Sequence, residues 1–254
     1  MRLKITLFIL VIAATAQADW TIVSSNSEAG RDGVIHKHLV LENAADRERV
    51  TVDLAIFSAK TCTLRLVQNE NGGISLREAM NQDQSLAGVN GGYFDEAFAP
   101  IGLRVVDGKM LEPLKRARLI TGVLIASVRG VQIVRAREFS THRLKATTAI
   151  QCGPFLVDLA KPVGGLNGGN RARRTFAATA SGNLALLGFC SRVSLAELSK
   201  ILLTSSVADD LKIERALNLD GGSSSGFWFA RENGSAFSIG EQKPVRDFVA
   251  IVPR

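Results

Sequence analysis

Apolar and polar residues alternate through much of this chain, the period-two signature of strands with one buried face. Residues 36–41 and 50–57 read as strands separated by the polar turn E-N-A-A-D-R-E. Residues 104–111 read as a hairpin turning at Asp107-Gly108, and 121–137 as two apolar strands around Arg129-Gly130. The apolar run 149–157 is interrupted by Gly153-Pro154, which predicts a bulge or bend in mid-strand. Strands at 176–179 and 184–189 follow, and 244–252 closes the chain. Helix signals are fewer. Ser75-Leu76-Arg77-Glu78 and Ser194-Leu195-Ala196-Glu197 both fit a capping box. The first predicts a helix to about Asn81, the second one to about Leu203 with Leu195, Leu198, Ile201 and Leu202 on its apolar face. Residues 208–213 add a further turn. Many strands and few helices predict an α+β fold, with a largely antiparallel or mixed β-sheet core and a few covering helices.

Two strand ends share one design. Residues 216–229 read A-L-N-L-D-G-G-S-S-S-G-F-W-F. Alternation with Leu217 and Leu219 puts Asn218 and Asp220 on one side, and Gly221-Gly222 then breaks the strand. Earlier, Asn90-Gly91-Gly92 also ends an apolar strand with a polar side chain and paired glycines. If the two strands are neighbours, the ends line one pocket suited to a sugar or a phosphate. Asn-Gly is equally the commonest hairpin signal, and the second end also reads as a polar hairpin tip. Gly222-Ser223-Ser224-Ser225-Gly226 matches the nucleophile-elbow pattern, which requires a following helix and a later histidine. A strand-like F-W-F-A follows instead, and the last histidine is His142.

A 254-residue chain with 46% hydrophobic and 22% charged residues is an ordinary globular protein. Residues 1–18 carry Arg2 and Lys4, then an apolar run too short to span a membrane, then small-x-small at 16–18. This predicts a signal peptide cleaved after Ala18, a single domain over 19–254, periplasmic or secreted location, and no stable membrane anchor. The formal charge of +7 falls to +5 without Arg2 and Lys4. That bias favours anionic ligands, while the scattered basic residues argue against nucleic acid. Cys62, Cys152 and Cys190 allow at most one disulfide and read as plain buried cysteines. His36 and His38 share a strand face and could seat a metal, but a solvent-facing strand accounts for them as well. No metal set is complete, so no metal site or cofactor is assigned; an all-oxygen Mg²⁺ or Ca²⁺ site stays open. The run Arg171-Ala172-Arg173-Arg174 is either a solvated loop or the source of one arginine that forks onto a phosphate or carboxylate.

Five segments occur together: N-G-G-Y-F-D at 90–95, Q-C-G-P-F-L-V at 151–157, R-R-T-F-A at 173–177, N-L-D-G-G-S-S-S at 218–225 and P-V-R-D-F at 244–248. In this combination and order, over about residues 85–252, the chain resembles the phosphodiester glycosidase family. The resemblance implies hydrolysis of a sugar from a sugar-1-phosphodiester, with a carbohydrate phosphodiester or envelope glycan as substrate. Asp220 would be the leading carboxylate, with Asp95 or Glu96 as the second. Arg174, and next Arg246, would take the phosphate. Asn90 and Asn218 would bind sugar hydroxyls; Gly91, Gly92, Gly221 and Gly222 would allow close backbone approach; Ser223 and Ser224 would donate hydrogen bonds. Ser223 stands where the family commonly has a third glycine. The same pocket would serve a non-catalytic periplasmic binding protein for envelope polysaccharide or its precursors. A metal phosphodiesterase would need clustered histidines and acids, which three scattered histidines do not supply.

Overall fold

The computed structural model describes residues 20–139, 145–204 and 211–254. The expected leader at 1–18, His142, and residues 208–210 of the expected extra turn lie outside the described residues. Among the described residues eighteen strands form three sheets. The first runs in the spatial order β1 (Trp20–Ala29), β2 (Ile35–Asn43), β3 (Arg49–Ser58), β14 (Leu184–Val193), β13 (Ala172–Ala180), β15 (Ile213–Asn218), β11 (Phe155–Asp158), β12 (Lys161–Pro162). The second runs β7 (Lys109–Glu112), β6 (Arg104–Val106), β10 (Ala146–Cys152), β8 (Gly122–Ser127), β9 (Gly130–Arg135). The third runs β17 (Ala236–Ile239), β16 (Phe227–Ala230), β5 (Ala87–Asn90), β18 (Asp247–Pro253), β4 (Cys62–Gln68). Each described pairing of consecutive sheet neighbours is antiparallel, as in the β13–β15 and β5–β18 ladders. The molecule is thus more β-rich than the expected α+β balance, with two short helices among the described residues.

The period-two pattern divides single strands between two cores. On β3, Ala55 and Phe57 point into a core shared by all three sheets, with Leu66, Val89, Leu124 and Leu217. Val52, Leu54 and Ile56 face the other way, into a second core on the outer side of the eight-stranded sheet. Helix α2 (Leu195–Ile201) closes that second core with Leu198 and Ile201, and Leu202 follows. Helix α1 (Leu76–Gln82) packs Leu76, Ala79 and Met80 against Trp228 and Phe248 on the third sheet. Both helices start at the expected capping boxes, on Ser75–Glu78 and Ser194–Glu197. Such caps are worth about 1 kcal/mol each, and they matter in helices this short. Among the described residues no helix is long and apolar enough to cross a membrane.

Three local expectations are corrected. Gly153-Pro154 is not a bulge within one strand: β10 ends at Cys152 in the second sheet and β11 begins at Phe155 in the first. Gly153 makes this switch with φ +155 and a backbone pressed against Leu119 and Thr121, where a side chain would not fit. Asn90-Gly91 is not a hairpin, since β5 pairs with β16 and β18 and the next strand starts at Arg104. His36 is not solvent-facing but 2% exposed, because Phe227, Phe229 and Phe237 of the third sheet cover it. Its two ring nitrogens lie 2.7 Å from Glu28 and 2.9 Å from Asp53. Among the described residues no three His, Cys, Asp or Glu side chains converge on a possible metal position. Cys62, Cys152 and Cys190 are free and buried.

Candidate active site

The two glycine-paired ends belong to different sheets, yet they meet. Asn90 ends β5 and is 0% exposed. Its Nδ2 donates to the Asp220 carbonyl at 2.8 Å, and its Oδ1 accepts from Thr175 Oγ1 at 2.7 Å and Gly226 N at 3.1 Å. The Asp220 amide in turn donates to the Gly91 carbonyl at 3.1 Å. One buried amide therefore ties β5, β13 and the turn after β15 together. Below it, Gly91 N donates to the Asp247 carbonyl at 2.8 Å and Gly92 N to Asp247 Oδ1 at 2.8 Å. Asp247 Oδ2 accepts from Arg104 Nε at 2.7 Å, with both side chains 3% exposed. Arg104 also donates to the Leu103 and Tyr93 carbonyls at 3.0 and 3.2 Å. A buried ion pair is tolerable when its remaining donors and acceptors are matched in this way. The close packing explains the glycines: a Cβ on Gly91 would overlap Asp247 Oδ1, and one on Gly92 would overlap Arg104 Nη2.

The second end is open. Asn218 closes β15, and its Nδ2 reaches Tyr93 Oη at 3.0 Å, the Gly153 carbonyl at 3.1 Å and the Leu219 carbonyl at 2.5 Å. Tyr93 Oη itself donates to the Gly153 carbonyl at 2.7 Å. Asn218 Oδ1 is buried without a hydrogen-bond partner. Asp220, Gly221, Gly222 and Ser223 are partly exposed, whereas Ser224 and Ser225 are buried. Gly222 takes φ +68, and nothing lies within 4 Å of where its Cβ would stand. The turn is pinned from outside by Gln242 N donating to the Ser223 carbonyl at 2.7 Å.

Charge in the site is unbalanced. Burial raises the Asp220 carboxyl from the ordinary aspartate value; the Ser224 hydroxyl, Lys243 and the Gly221 amide oppose that, and Asp247 adds to it. Arg174 is 8% exposed on β13. Its Nε donates to the Val193 carbonyl at 3.0 Å and its Nη2 to the Asn170 carbonyl at 2.5 Å. Both partners are neutral, and among the described residues Arg174 has no carboxylate partner. Its Nη1 lies 3.5 Å from the space a Gly221 Cβ would fill, facing the open turn. Burial pulls the Arg174 guanidinium below its usual range, with Tyr93 and Cys190 opposing. Tyr93 is pushed up, first by burial and then by Cys152 and Asp220, against Asn218 and Arg174. A buried cation without a counter-charge is costly, and an anionic ligand would relieve it.

Asn90, Gly91, Gly92, Asn218, Asp220, Gly221, Gly222, Ser223, Ser224 and Arg174 are thus brought together. Asp95, Glu96 and Arg246 fall outside this set. Asp95 and Glu96 are exposed on the loop after Tyr93, where Asp95 Oδ1 accepts from Ala99 N at 2.9 Å. Arg246 lines a cavity of about 230 Å³ with Gln68, Glu70 and Glu112, which also reaches Arg104 and Asp247 but none of the residues of the Asp220 turn. Four residues not singled out from sequence complete the frame: Tyr93, Thr175, Arg104 and Asp247. Tyr93 is the chain's single tyrosine and sits inside N-G-G-Y-F-D, and Asp247 sits inside P-V-R-D-F. Thr175 sits inside R-R-T-F-A; of the four, Arg104 alone had no such signal.

Comparisons with known proteins agree with this architecture. A protein from Synechocystis, described as hypothetical, superposes with TM-score 0.66 at 14% identity over 91% of this chain and 64% of its own, so the chain spans less than two thirds of that relative. The catalytic domain of zebrafish N-acetylglucosamine-1-phosphodiester alpha-N-acetylglucosaminidase, auto-inhibited by its pro-peptide, superposes with TM-score 0.62 at 13% identity over 95% of this chain and 85% of that one. A Burkholderia pseudomallei protein described as exported gives TM-score 0.57 at 16% identity over 83% and 75% of the two chains. At these identities the structures show a shared fold. No curated protein sequence matches the chain. The phosphodiester glycosidase model matches residues 83–252, a stretch that contains both glycine-paired ends, Arg174, Arg104 and Asp247. The chain belongs to the phosphodiester glycosidase family.

Proposed function

We propose that the protein is an exported hydrolase that cleaves a glycosyl-1-phosphodiester at the anomeric C–O bond. The observation that carries this reading is Arg174: a buried guanidinium with only neutral partners, turned toward the open Asp220-Gly221-Gly222 turn. A phosphate diester would supply the missing negative charge, and as the bond breaks the departing monoester gains charge that Arg174 stabilises. Asp220, its carboxyl raised by burial, is the base for the attacking water. Water adds to the anomeric carbon, the C–O bond to phosphate breaks, and the proton taken by Asp220 passes to solvent. The products are a free sugar and a phosphate monoester. Asp247 is not available for this role, since Arg104 and the Gly92 amide occupy its two oxygens. A phosphate monoester leaves readily once its charge is matched, so Asp95 and Glu96 are not needed to protonate it. Asn90 and Asn218, whose bonds run inside the protein, position the turn, while the Gly221, Gly222 and Ser223 backbone approaches the sugar phosphate. The reaction requires no cofactor.

Membership of the family and the named activity of the zebrafish enzyme support the substrate class. The leader-like pattern of residues 1–18 and the exported description of the Burkholderia protein support a periplasmic or secreted location. The test is hydrolysis of a panel of sugar-1-phosphodiesters in oxygen-18 water. Label in the sugar hydroxyl is the expected result. Label in the phosphate would mean P–O cleavage and overturn the reading. No turnover, with ligand-induced shifts in the protein's spectrum, would point to a binding protein instead.

A further inference from the structure

Exposed apolar side chains are not spread evenly over this molecule. Among the described residues eight large hydrophobic side chains are exposed, and four of them, Met110, Leu111, Leu114 and Leu119, lie on β7 and the loop after it. Leu119 is 69% exposed. Lys109, Lys115, Arg116 and Arg118 are interleaved with them and are also exposed, and Glu112 is the one acid between Lys109 and Leu119. This segment is held in place. The buried Gln151 accepts from Lys115 N at 2.9 Å and donates to the Lys115 and Ile120 carbonyls at 2.6 and 3.0 Å. With its backbone fixed at both points and Ile120 turned inward, the run P-L-K-R-A-R-L at 113–119 is presented outward along its whole length. A cavity of about 560 Å³ lies against it, lined by Leu114, Lys115, Arg116, Arg137 and Phe139 among others. Arg135 also lines it but is already neutralised by Asp158 at 2.6 Å. Lys115 and Arg116 have no such partner among the described residues.

We propose that residues 109–119 form a docking surface for a lipid bilayer bearing anionic headgroups. The leucines enter the interfacial region, the lysine and arginines meet the lipid phosphates, and the adjoining cavity seats one headgroup. The combination is what selects this partner. A soluble polyanion would use the basic residues but leave the leucines in water, and a neutral apolar surface would use the leucines but not the charges. A bilayer with anionic lipid uses both. This surface uses none of the residues of the Asp220 turn, and the proposal holds whether or not the protein turns over a phosphodiester.

The test is co-sedimentation of the mature chain with vesicles of phosphatidylcholine alone and of phosphatidylcholine mixed with phosphatidylglycerol. Binding should be strong only on the mixed vesicles. Since each basic residue near such a surface adds roughly five-fold in affinity, the double variant Lys115→Gln, Arg116→Gln should bind about 25-fold more weakly. Leu119→Ser should also weaken binding, whereas Leu159→Ser, at a leucine 74% exposed elsewhere, should not. All four positions are exposed, so unchanged melting temperatures will show that the fold is intact. Equal binding to both vesicle types, no binding to either, or full binding by Leu119→Ser overturns the proposal.

Discussion

Asn90-Gly91-Gly92 and Asp220-Gly221-Gly222 are written alike, and the structure uses them in opposite ways. At the first end the glycines are needed because the space is taken: Asp247 and Arg104 press on the backbone, and Asn90 directs its hydrogen bonds to Thr175, Gly226 and Asp220. At the second end Gly222 has open space around it, and what it supplies is a left-handed φ of +68. The first end is a strut and the second is the surface that the strut presents. A polar residue followed by paired glycines therefore marks a tight backbone place, but not which side of the protein the place faces. The difference also separates the electrostatics. Asp247 is a buried acid with a matched cation, whereas Asp220 is held in an environment that disfavours its charge.

The largest expected effect is on chemistry at the open end. Asp220→Asn should lower kcat/KM by about 10²–10⁴, the range for loss of a general base. Asn90→Ala at the strut should lower unfolding free energy by about 2–4 kcal/mol, because it strands the Thr175 hydroxyl and the Gly226 amide, and should lower the activity of the folded fraction less than Asp220→Asn does, through the lost bond to the Asp220 carbonyl. Denaturant unfolding alongside kinetics checks both; an Asp220→Asn variant with full activity would remove Asp220 from the mechanism. Next in size, Gly91→Ala should destabilise by about 3 kcal/mol or more, since neither Asp247 nor the backbone can move freely. Gly222→Ala should lose only about 1–2 kcal/mol, the strain of a left-handed residue. Equal losses at the two glycines would dissolve the contrast between strut and surface.

The smallest effect is in the pH dependence. Asp220 must be ionised to act as base, so activity should fall as pH drops through its folded-state value, which burial raises above that of an ordinary aspartate. Its effect on stability has the opposite direction. The folded state holds this proton more tightly than the unfolded chain does, so stability declines as pH rises from the unfolded aspartate value through the folded one. Asp220→Asn should therefore melt higher than the parent protein at neutral pH and should lose that advantage in acid. A parent protein that is stabler than the variant at neutral pH would show that Asp220 serves the fold.

The parts of this structure legible in the sequence are those governed by neighbours along the chain. Alternation located strands near 36–41, 50–57, 104–111 and 121–137, and the observed β2, β3, β6 to β9 follow it. The two capping boxes placed both helix starts, because a cap is made by residues three apart. The polar inventory of the site was legible too, since Asn90, Asp220 and the glycines interrupt otherwise apolar strands. What the chain order did not reveal depends on pairs far apart. The two glycine ends were expected to need adjacent strands, but they meet from separate sheets through bonds such as Asn90 to the Asp220 carbonyl, 130 positions away. Gly153-Pro154 looked like a bend because a strand that leaves one sheet for another has the same local composition as one that kinks. His36 carries the same alternation whether water or a second sheet covers its face, so only packing against Phe227, Phe229 and Phe237 decided its burial. The Arg104–Asp247 pair, 143 positions apart, has no local signature at all. Local order along the chain settles which backbone segments can be strands, helices and turns, because those preferences act over a few residues. Tertiary structure alone decided which polar groups are matched inside the protein and which, Arg174 foremost, are left to meet a ligand, because burial and charge balance are properties of the assembled sheets.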